Sequence, residues 1–381
     1  MKNYGALSLA MHKKHRGKLE VVSKVRLKNT DDLSTAYTPG VAEPCRKIAK
    51  KPDLAYEYTI KRNTVAVVTD GSSVLGLGNI GGLAGLPVME GKCLLLKNFA
   101  DVDAFPISLA TQDPDEIVET IKNISPTFGA INLEDIAAPN CFYIEERLQR
   151  EMEIPVFHDD QHGTAIVILA GLLNALKVIK KEMRNVRVVI SGAGAAGIAT
   201  AKLLLHEGVK DLILVDSRGA IYSGRKDLNS YKKEMALKTN KRKVKGGLAE
   251  ALSGMDVFIG VSQPGIVTQA MIYSMAPHAI VFAKANPIPE IMPDLAAEAG
   301  AAIVATGRSD FPNQINNVLA FPGVLRGVLD ARARLITEKM KIAAAYALAS
   351  LTPRPTKNKI ISSAFSNKVA RAVAEAVKRA K

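Results

Sequence analysis

The sequence predicts an α/β protein in which a parallel sheet is covered by helices. From about Thr164 onward, short β-branched or aliphatic runs recur along the chain, and helix-compatible segments lie between several of them. This alternation is typical of a parallel sheet. The chain has 381 residues, and because a single hydrophobic core rarely grows past about 250–300 residues, we predict a second domain in the N-terminal part.

Compact apolar runs indicate the strands, and longer helix-forming runs indicate the helices. The predicted strands are Thr64–Asp70, Val186–Ser191, Leu212–Asp216, Asp256–Val261, Ala279–Ala283 and Ala301–Ala305. The predicted helices are Thr164–Lys181 (with Thr164 as N-cap), Ile198–His206, Asp330–Leu351 and Ser363–Ala380. Asp70–Pro87 contains six glycines and little side-chain bulk, so we interpret it as a functional loop.

The last predicted helix has apolar side chains at helical spacing. This stripe consists of Val369, Ala372, Val373, Ala376 and Val377. It predicts an amphipathic helix that packs against the body of the protein or against a second subunit. Because the stripe contains only Ala and Val, it does not favour a membrane surface.

The net charge of +14 is unevenly distributed. Residues 1–30, 225–245 and 351–381 each carry a net charge of +7, so the rest of the chain carries −7. Aromatic residues make up only 5% of the chain and tryptophan is absent, which leaves nucleic-acid binding as a remote alternative. Three isolated cysteines favour a cytoplasmic protein, and no uninterrupted apolar stretch is long enough to predict a membrane span.

Two GxGxxG strings occur, at 76–81 and 192–197, and only the second has the context of a dinucleotide site. It follows a predicted strand and opens a predicted helix, and the next strand ends in Asp216, 19 residues after the string. A helix that begins at such a turn directs its free N–H groups at phosphates. The residues predicted to bind the dinucleotide are Gly192, Ala193, Gly194, Ala195, Ala196 and Gly197.

Asp216 is the predicted partner of the adenosine ribose. Its carboxylate would accept hydrogen bonds from the ribose hydroxyls and repel a 2′-phosphate, which favours NAD. Arg218 and Arg225 lie close to it in the sequence and could pair with a 2′-phosphate, so NADP stays an alternative cofactor.

Two pairs of adjacent acids follow short apolar runs. They are Glu134 with Asp135, and Asp159 with Asp160. Because ligand sites gather at strand ends in α/β folds, we interpret both pairs as parts of a site. Carboxylate oxygens without thiolates suit a hard cation, which predicts Mg²⁺ or Mn²⁺, and we discount the neighbouring histidines as zinc ligands.

With these features in place, the sequence resembles the malic enzymes, particularly their short bacterial form, over nearly its whole length. The resemblance rests on six motifs in the same order, Ser34–Cys45, Leu86–Lys92, Ile131–Ala137, Pro155–Ala165, Gly192–Ala199 and Ala305–Arg326. It implies oxidative decarboxylation of L-malate to pyruvate and CO₂, with reduction of NAD⁺ or NADP⁺ and a divalent metal. It also implies a homodimer.

The same motifs imply roles for individual residues. Tyr37 matches the family's general acid, in its own site or in that of a second subunit, and Lys92 matches the general base. Asp159 matches a neighbouring acid that tunes the site, and Asn286 and Asn317 match residues that contact the substrate or the nicotinamide end of the cofactor. The implied metal ligands are Glu134, Asp135 and Asp160.

The implied chemistry fits these residue types. A lysine acts as a base near neutral pH only if its pKa falls from about 10.4, and burial and a nearby cation both lower it. A metal that holds the C2 oxygen polarises the new carbonyl, which is the electron sink for loss of CO₂ from C4. Loss of CO₂ leaves the enolate of pyruvate, and the resemblance implies that the hydroxyl of Tyr37 protonates its C3.

The chain departs from the family pattern at three places. Lys284 stands where an apolar residue is expected before Ala285-Asn286-Pro287, and Ser217 stands where a basic residue is expected. In Asp70–Ser73, a threonine or arginine is commoner than one of the serines. These departures bear on cofactor preference more than on reaction type.

The predicted organisation has three segments. Residues 1–163 form a substrate and metal domain, residues 164–335 a Rossmann-like NAD(P)-binding domain, and residues 336–381 helices that pack on the body or on the dimer partner. On the same fold, the alternative function is malolactic decarboxylation of malate to lactate. We expect neither nucleic acid nor membrane as a partner.

Overall fold

The fold is built around two sheets, one in each half of the chain. The computed structural model describes residues 3–74 and 76–381, and the statements below concern those residues. The strands are β1 (Thr64–Thr69), β2 (Asp103–Ser108), β3 (Ala130–Leu133), β4 (Val156–His158), β5 (Arg187–Ser191), β6 (Asp211–Asp216), β7 (Gly219–Ala220), β8 (Val257–Gly260), β9 (Ile280–Ala283) and β10 (Ile303–Thr306).

Sixteen α-helices surround these sheets in the described ranges. They are α1 (Tyr4–His15), α2 (Thr30–Ala36), α3 (Ala42–Lys50), α4 (Ala55–Tyr58), α5 (Gly81–Ala100), α6 (Pro114–Ile124), α7 (Asn140–Glu151), α8 (Asp159–Ile179), α9 (Ala195–His206), α10 (Ser230–Lys238), α11 (Leu248–Leu252), α12 (Gln269–Tyr273), α13 (Pro293–Glu298), α14 (Phe321–Ala331), α15 (Glu338–Ser350) and α16 (Val369–Arg379).

The N-terminal sheet is parallel, with the strand order β2-β1-β3-β4. Its central strand β1 is buried at every position, since helices cover both faces of a parallel sheet. Helices α5 and α14 pack against this sheet. The main cluster of buried apolar side chains draws on both halves of the chain, so the two sheets share one core.

The C-terminal sheet has the strand order β10-β9-β8-β5-β6-β7, with β7 antiparallel to β6 and the other pairs parallel. The chain runs outward from β5 to β6 on one side and continues from β8 on the other. A ligand crevice forms where the strand order reverses in this way, outside the carboxyl ends of the strands. This sheet confirms the predicted α/β class with a Rossmann-like domain.

The predicted strands are all present, with ends shifted by one or two residues, but several helix predictions are wrong in their bounds. Helix α8 begins at Asp159, not Thr164, because the side chain of His158 accepts a hydrogen bond from the backbone N–H of Gln161 and caps it there. Its start therefore lies inside the predicted N-terminal domain.

The C-terminal helices are also shorter than predicted. The run from 330 to 351 contains the end of α14 and then α15, because Arg332 adopts the left-handed conformation (φ 47°) and ends α14. Within the predicted helix from 363 to 380, only the residues of α16 are α-helical.

The glycine-rich segment from Asp70 to Pro87 is a loop only before Gly81. Contrary to the prediction, α5 begins at Gly81 and continues through Pro87. The small residues allow close approach to the sheet, since a Cβ at Gly82 would lie 2.4 Å from the carbonyl oxygen of Leu109. This helix carries Lys92 to the edge of the sheet.

The apolar stripe of α16 packs inside this chain. Val369, Val373 and Val377 are buried, and α16 lies against α14. A Cβ at Gly323 would lie 2.6 Å from Cβ of Val373, so the helices are in close contact. The stripe therefore gives no support to the predicted dimer.

Helix α8 is the described helix whose length and composition would suit a membrane span. Two thirds of its most apolar stretch is buried inside the protein, where it packs against α9 and α15. This burial is typical of a core helix.

Candidate active site

A cavity of about 650 Å³ lies where the carboxyl ends of the two sheets meet. Side chains that follow strands of both sheets line it. The predicted site residues along its wall are Lys92, Glu134, Asp135, Asp160, Ala196, Asn286 and Asn317. The structure therefore brings most of the predicted site into one space.

Three acids form a compact triad in this cavity. Glu134 and Asp135 directly follow β3, and Asp160 lies in the first turn of α8, directly after the neighbouring strand β4. One oxygen from each carboxylate lies within 4.8 Å of the others. The backbone N–H of Asp135, which has the left-handed φ of 54°, donates to Oδ2 of Asp160 over 2.8 Å. This all-oxygen donor set fits Mg²⁺ or Mn²⁺.

Burial makes it unfavourable to keep the three carboxylates of the triad ionised unless a cation balances their charge. The pKa of Glu134 is raised well above its ordinary value, first by burial and then by the carboxylates of Asp160 and Asp159, while Lys92 opposes the rise. A bound divalent cation removes this repulsion, which supports the predicted role of these residues as metal ligands.

Lys92 lies on α5 between two carboxylates. Its Nζ is 2.8 Å from Oε1 of Glu134 and 2.5 Å from Oδ2 of Asp159, and it lies 4.6 Å above the ring of Phe321. Burial alone would lower the pKa of Lys92, but the carboxylates of Asp159, Glu134 and Asp160 raise it above its ordinary value. The charged ammonium form is therefore favoured in this arrangement, which is opposite to the lowered pKa that the general-base role requires.

Asp159 connects the two halves of the site. Its Oδ2 also accepts a hydrogen bond from Nδ2 of Asn317, over 2.6 Å, and this asparagine lies in the turn between β10 and α14. The carboxylate is fully buried, and burial raises its pKa although Lys92 lowers it. A Cβ at Gly163 would lie 1.8 Å from Oδ1, so only glycine fits beside this acid.

The second GxGxxG string forms the predicted turn. Gly192 directly follows β5 with a φ of 108°, and Gly194 is the N-cap of α9. A Cβ at Gly197 would lie 1.7 Å from the carbonyl oxygen of Gly192. A second cavity, of about 560 Å³, lies beside this turn, and Ser262 lines both cavities. A dinucleotide can therefore extend from the turn to the acidic triad.

The first GxGxxG string contacts the cofactor-binding half of the chain. Gly76 lines the main cavity beside Asn286, and a Cβ at Gly76 would lie 2.5 Å from the carbonyl oxygen of that asparagine. Asn286 itself follows β9 and precedes a cis proline bond.

Asp216 is less free than the sequence suggested. Its carboxylate lies 2.8 Å from Nη2 of Arg225 and 2.7 Å from Nζ of Lys232, and it also accepts the backbone N–H of Arg218. Burial would raise the pKa of Asp216, but the hydrogen bonds from Lys232 and Arg225 lower it. Because two cations balance its charge, Asp216 alone does not exclude a 2′-phosphate.

Tyr37 lies apart from the other predicted site residues. It caps the C-terminus of α2, it is 66% exposed, and it is absent from the described residues that line the cavity. Helices α1 to α3 bury none of their residues within this chain. The predicted general acid is therefore not placed in the site by one chain alone.

A buried carboxylate that the sequence did not reveal holds the start of α8. Glu145, on α7, accepts hydrogen bonds from the backbone N–H of His158 (3.1 Å) and from Nε2 of Gln161 (2.9 Å). It also lies 2.9 Å from Nε2 of His162. Burial would raise the pKa of Glu145, but the contact with His162 and the nearby charge of Lys341 lower it to about 2. The only local signal is an acid on the apolar face of α7.

The fold and the site define a dinucleotide-dependent oxidoreductase with an acidic ligand cluster. Two family models cover most of the chain, "Malic enzyme, N-terminal domain" at residues 16–149 and "Malic enzyme, NAD binding domain" at residues 161–380. The chain belongs to the malic enzyme family.

Relatives and solved structures agree with this assignment. The chain is 59% identical to the bifunctional malic/malolactic enzyme of Bacillus subtilis, over 98% of this chain and 92% of that protein. It is 57% identical to the NAD-dependent malic enzyme of Geobacillus stearothermophilus, over 95% of this chain and 76% of the relative. The crystal structure of an NAD-dependent malic enzyme from Thermotoga maritima superposes with a TM-score of 0.95 at 49% identity, covering 97% of this chain and 98% of that one.

Proposed function

We propose that this protein catalyses the oxidative decarboxylation of L-malate to pyruvate and CO₂, with reduction of NAD⁺ or NADP⁺. The observation that carries the proposal is that the acidic triad and Lys92 share one cavity, whose wall includes Ala196 of the dinucleotide turn. Hydride transfer needs the cofactor beside C2 and a base for the C2 hydroxyl, and decarboxylation needs the new C2 carbonyl as an electron sink.

The residues of the triad, Glu134, Asp135 and Asp160, would hold the divalent cation. When bound, Mg²⁺ or Mn²⁺ supplies Lewis-acid polarisation of the C2 oxygen and lowers the pKa of nearby groups. Lys92 would take the proton of the C2 hydroxyl, and a nicotinamide bound beside the substrate would accept the hydride from C2. Asp159, bonded to both Lys92 and Asn317, holds the lysine in position.

We also propose that the protein is a cytoplasmic homodimer in which Tyr37 of one subunit protonates the enolate in the site of the other. The exposed N-terminal segment supports this arrangement, because it presents apolar side chains such as Leu9 (76% exposed) and Val21 (87% exposed). Exposed apolar side chains clustered in one segment are typical of a subunit contact. The free cysteines, which include the exposed Cys45, support a reducing location.

Malolactic decarboxylation is the second candidate. It is favoured by one observation, the 59% identity to a relative named as a bifunctional malic/malolactic enzyme. In that reaction the cofactor stays bound and the product is lactate.

Purified protein given L-malate, Mn²⁺ and NAD⁺ or NADP⁺ tests the proposal. We expect absorbance at 340 nm from the reduced cofactor, about one pyruvate per reduced cofactor, and loss of both with a chelator. Lactate without net cofactor reduction would support the malolactic reaction instead. No turnover with either cofactor would overturn the proposed function, and a monomeric mass of 40.8 kDa by light scattering would overturn the dimer.

A further inference from the structure

Lys284 places a further lysine in the active-site cavity, besides Lys92. It directly follows β9 and lines the cavity two residues before Asn286. Its Nζ donates a hydrogen bond to the carbonyl oxygen of Ile315, over 2.7 Å. An ammonium group has three donors, so this bond leaves further donors for a ligand.

The charge of Lys284 is not neutralised by an ion pair within the described residues, where no carboxylate lies within 4.0 Å of its Nζ. The acids that act on it from further away are Asp159 and Glu290. Asp159 already binds Lys92 and Asn317. Lys284 therefore differs from Lys92, which touches two carboxylates.

Glu290 is likewise engaged elsewhere. Its carboxylate accepts the backbone N–H groups of Ser262 (2.9 Å) and Ala285 (3.0 Å). Burial consequently lowers the pKa of Lys284 to about 8 against the smaller opposing effect of the two acids. A half-buried cation without a close counter-ion is costly, and an anionic ligand in the cavity would remove that cost.

We propose that Lys284 binds the substrate carboxylate that lies away from the acidic triad, and so selects dicarboxylic 2-hydroxy acids. The inference rests on the proposed function. The triad lies at the carboxyl ends of β3 and β4 in the N-terminal sheet, and Lys284 lies at the carboxyl end of β9 in the C-terminal sheet. A substrate that places its hydroxyl and one carboxylate at the triad has its second carboxylate to present to the other half of the cavity.

The contact acts on substrate binding more than on the chemical step, because the bound carboxylate leaves as neutral CO₂. In Lys284→Met we expect KM for L-malate to rise by about 10- to 100-fold, the range for losing a charged hydrogen bond. We expect kcat to change by less than about threefold. KM for NAD⁺ stays unchanged, and Lys284→Arg keeps KM for malate near that of the wild type.

Two comparisons make the test specific. L-lactate keeps the hydroxyl and one carboxylate but lacks the second, so its inhibition constant should be equal in wild type and Lys284→Met. Lys210→Met is the matched control, because Lys210 is exposed and precedes the amino end of β6, whereas the cavity lies at the carboxyl ends of the strands. It removes the same charge and should leave KM for malate unchanged.

The proposal is overturned if KM for malate is equal in wild type and Lys284→Met, if only KM for NAD⁺ rises, or if lactate inhibition weakens as much as malate binding. If Lys284→Met does not melt like the wild type, Lys284→Gln replaces it, since its amide can still donate to Ile315. If the wild type shows no turnover, the proposed function fails and calorimetric titration with L-malate and Mn²⁺ decides about Lys284. Weaker binding by the variant supports its role, and equal or absent binding overturns it.

Discussion

The two sheet edges that meet at the cavity, each formed by the carboxyl ends of its strands, differ in the groups that they contribute to it. The edge of the N-terminal sheet presents charged side chains, namely the acidic triad, Asp159 and Lys92, which are packed against one another. The edge of the C-terminal sheet presents the backbone at the turn from Gly192 to Gly197, where side chains would obstruct a ligand. The first edge should therefore be sensitive to a change of charge, and the glycine turn of the second edge to a change of volume.

Removing Lys92 tests the charged edge and has the largest expected effect. Lys92→Met removes the base and leaves Glu134 and Asp159 without their shared cation. We expect kcat to fall by about 10²- to 10⁴-fold, the range for losing general acid–base catalysis. Steady-state kinetics with malate, Mn²⁺ and NAD⁺ measures this loss.

Lys97→Met is the matched control, because Lys97 is an exposed lysine on the same helix that pairs with Asp101 and Asp103 at the surface. It should keep kcat. Mixing Lys92→Met with Tyr37→Phe after dissociation and reassociation should restore part of the activity, since one site of a mixed dimer would then hold both native groups. A Lys92→Met variant with more than a tenth of the activity would contradict the role of Lys92 as base.

The sequence predicted what local patterns encode. The acids after β3 and β4, and the glycine turn after β5, follow apolar runs that are strands in their own right, so their places could be inferred one segment at a time. The start of α5 at Gly81 could not, because glycine is a poor helix former and the helix depends on close packing against Leu109.

Contacts between distant segments were also out of reach. Asp216 meets Lys232 across 16 residues, and Asp159 meets Asn317 across 158, so sequence spacing does not indicate either pair. For the same reason Asp216 was expected to be free to repel a phosphate, whereas two cations hold it.

Adding one methyl group at two positions tests the glycine edge. In Gly197→Ala, the new Cβ would lie 1.7 Å from the carbonyl oxygen of Gly192, so α9 must shift. We expect a loss of about 1–3 kcal/mol in the free energy of unfolding, as for other overpacked sites. Urea unfolding followed by circular dichroism measures it.

Gly194→Ala is the paired variant, because a Cβ there has no neighbour within 4 Å and φ is −95°. It should unfold like the wild type but raise KM for NAD⁺, since the methyl group faces the path of the phosphates. Equal unfolding curves for both alanine variants would show that close packing of α9 on the turn is not what requires glycine at 197.

The smallest expected effect concerns the binding of the cofactor's ribose. Here the charged side chain of Asp216 lies beside the glycine turn, so both charge and volume matter. In Lys232→Met, Asp216 loses one of its two cations, so its charge is balanced only by Arg225 and it repels a 2′-phosphate more strongly. We expect kcat/KM for NADP⁺ to fall by about 3- to 10-fold relative to that for NAD⁺, equivalent to roughly 1 kcal/mol for a partly exposed ion pair. Lys233→Met, one residue along the same helix and exposed, keeps the net charge equal to that of the test variant and should leave the ratio unchanged. If both variants lowered the ratio equally, the general positive charge of residues 225–245 would set the preference, and the contact with Asp216 would not.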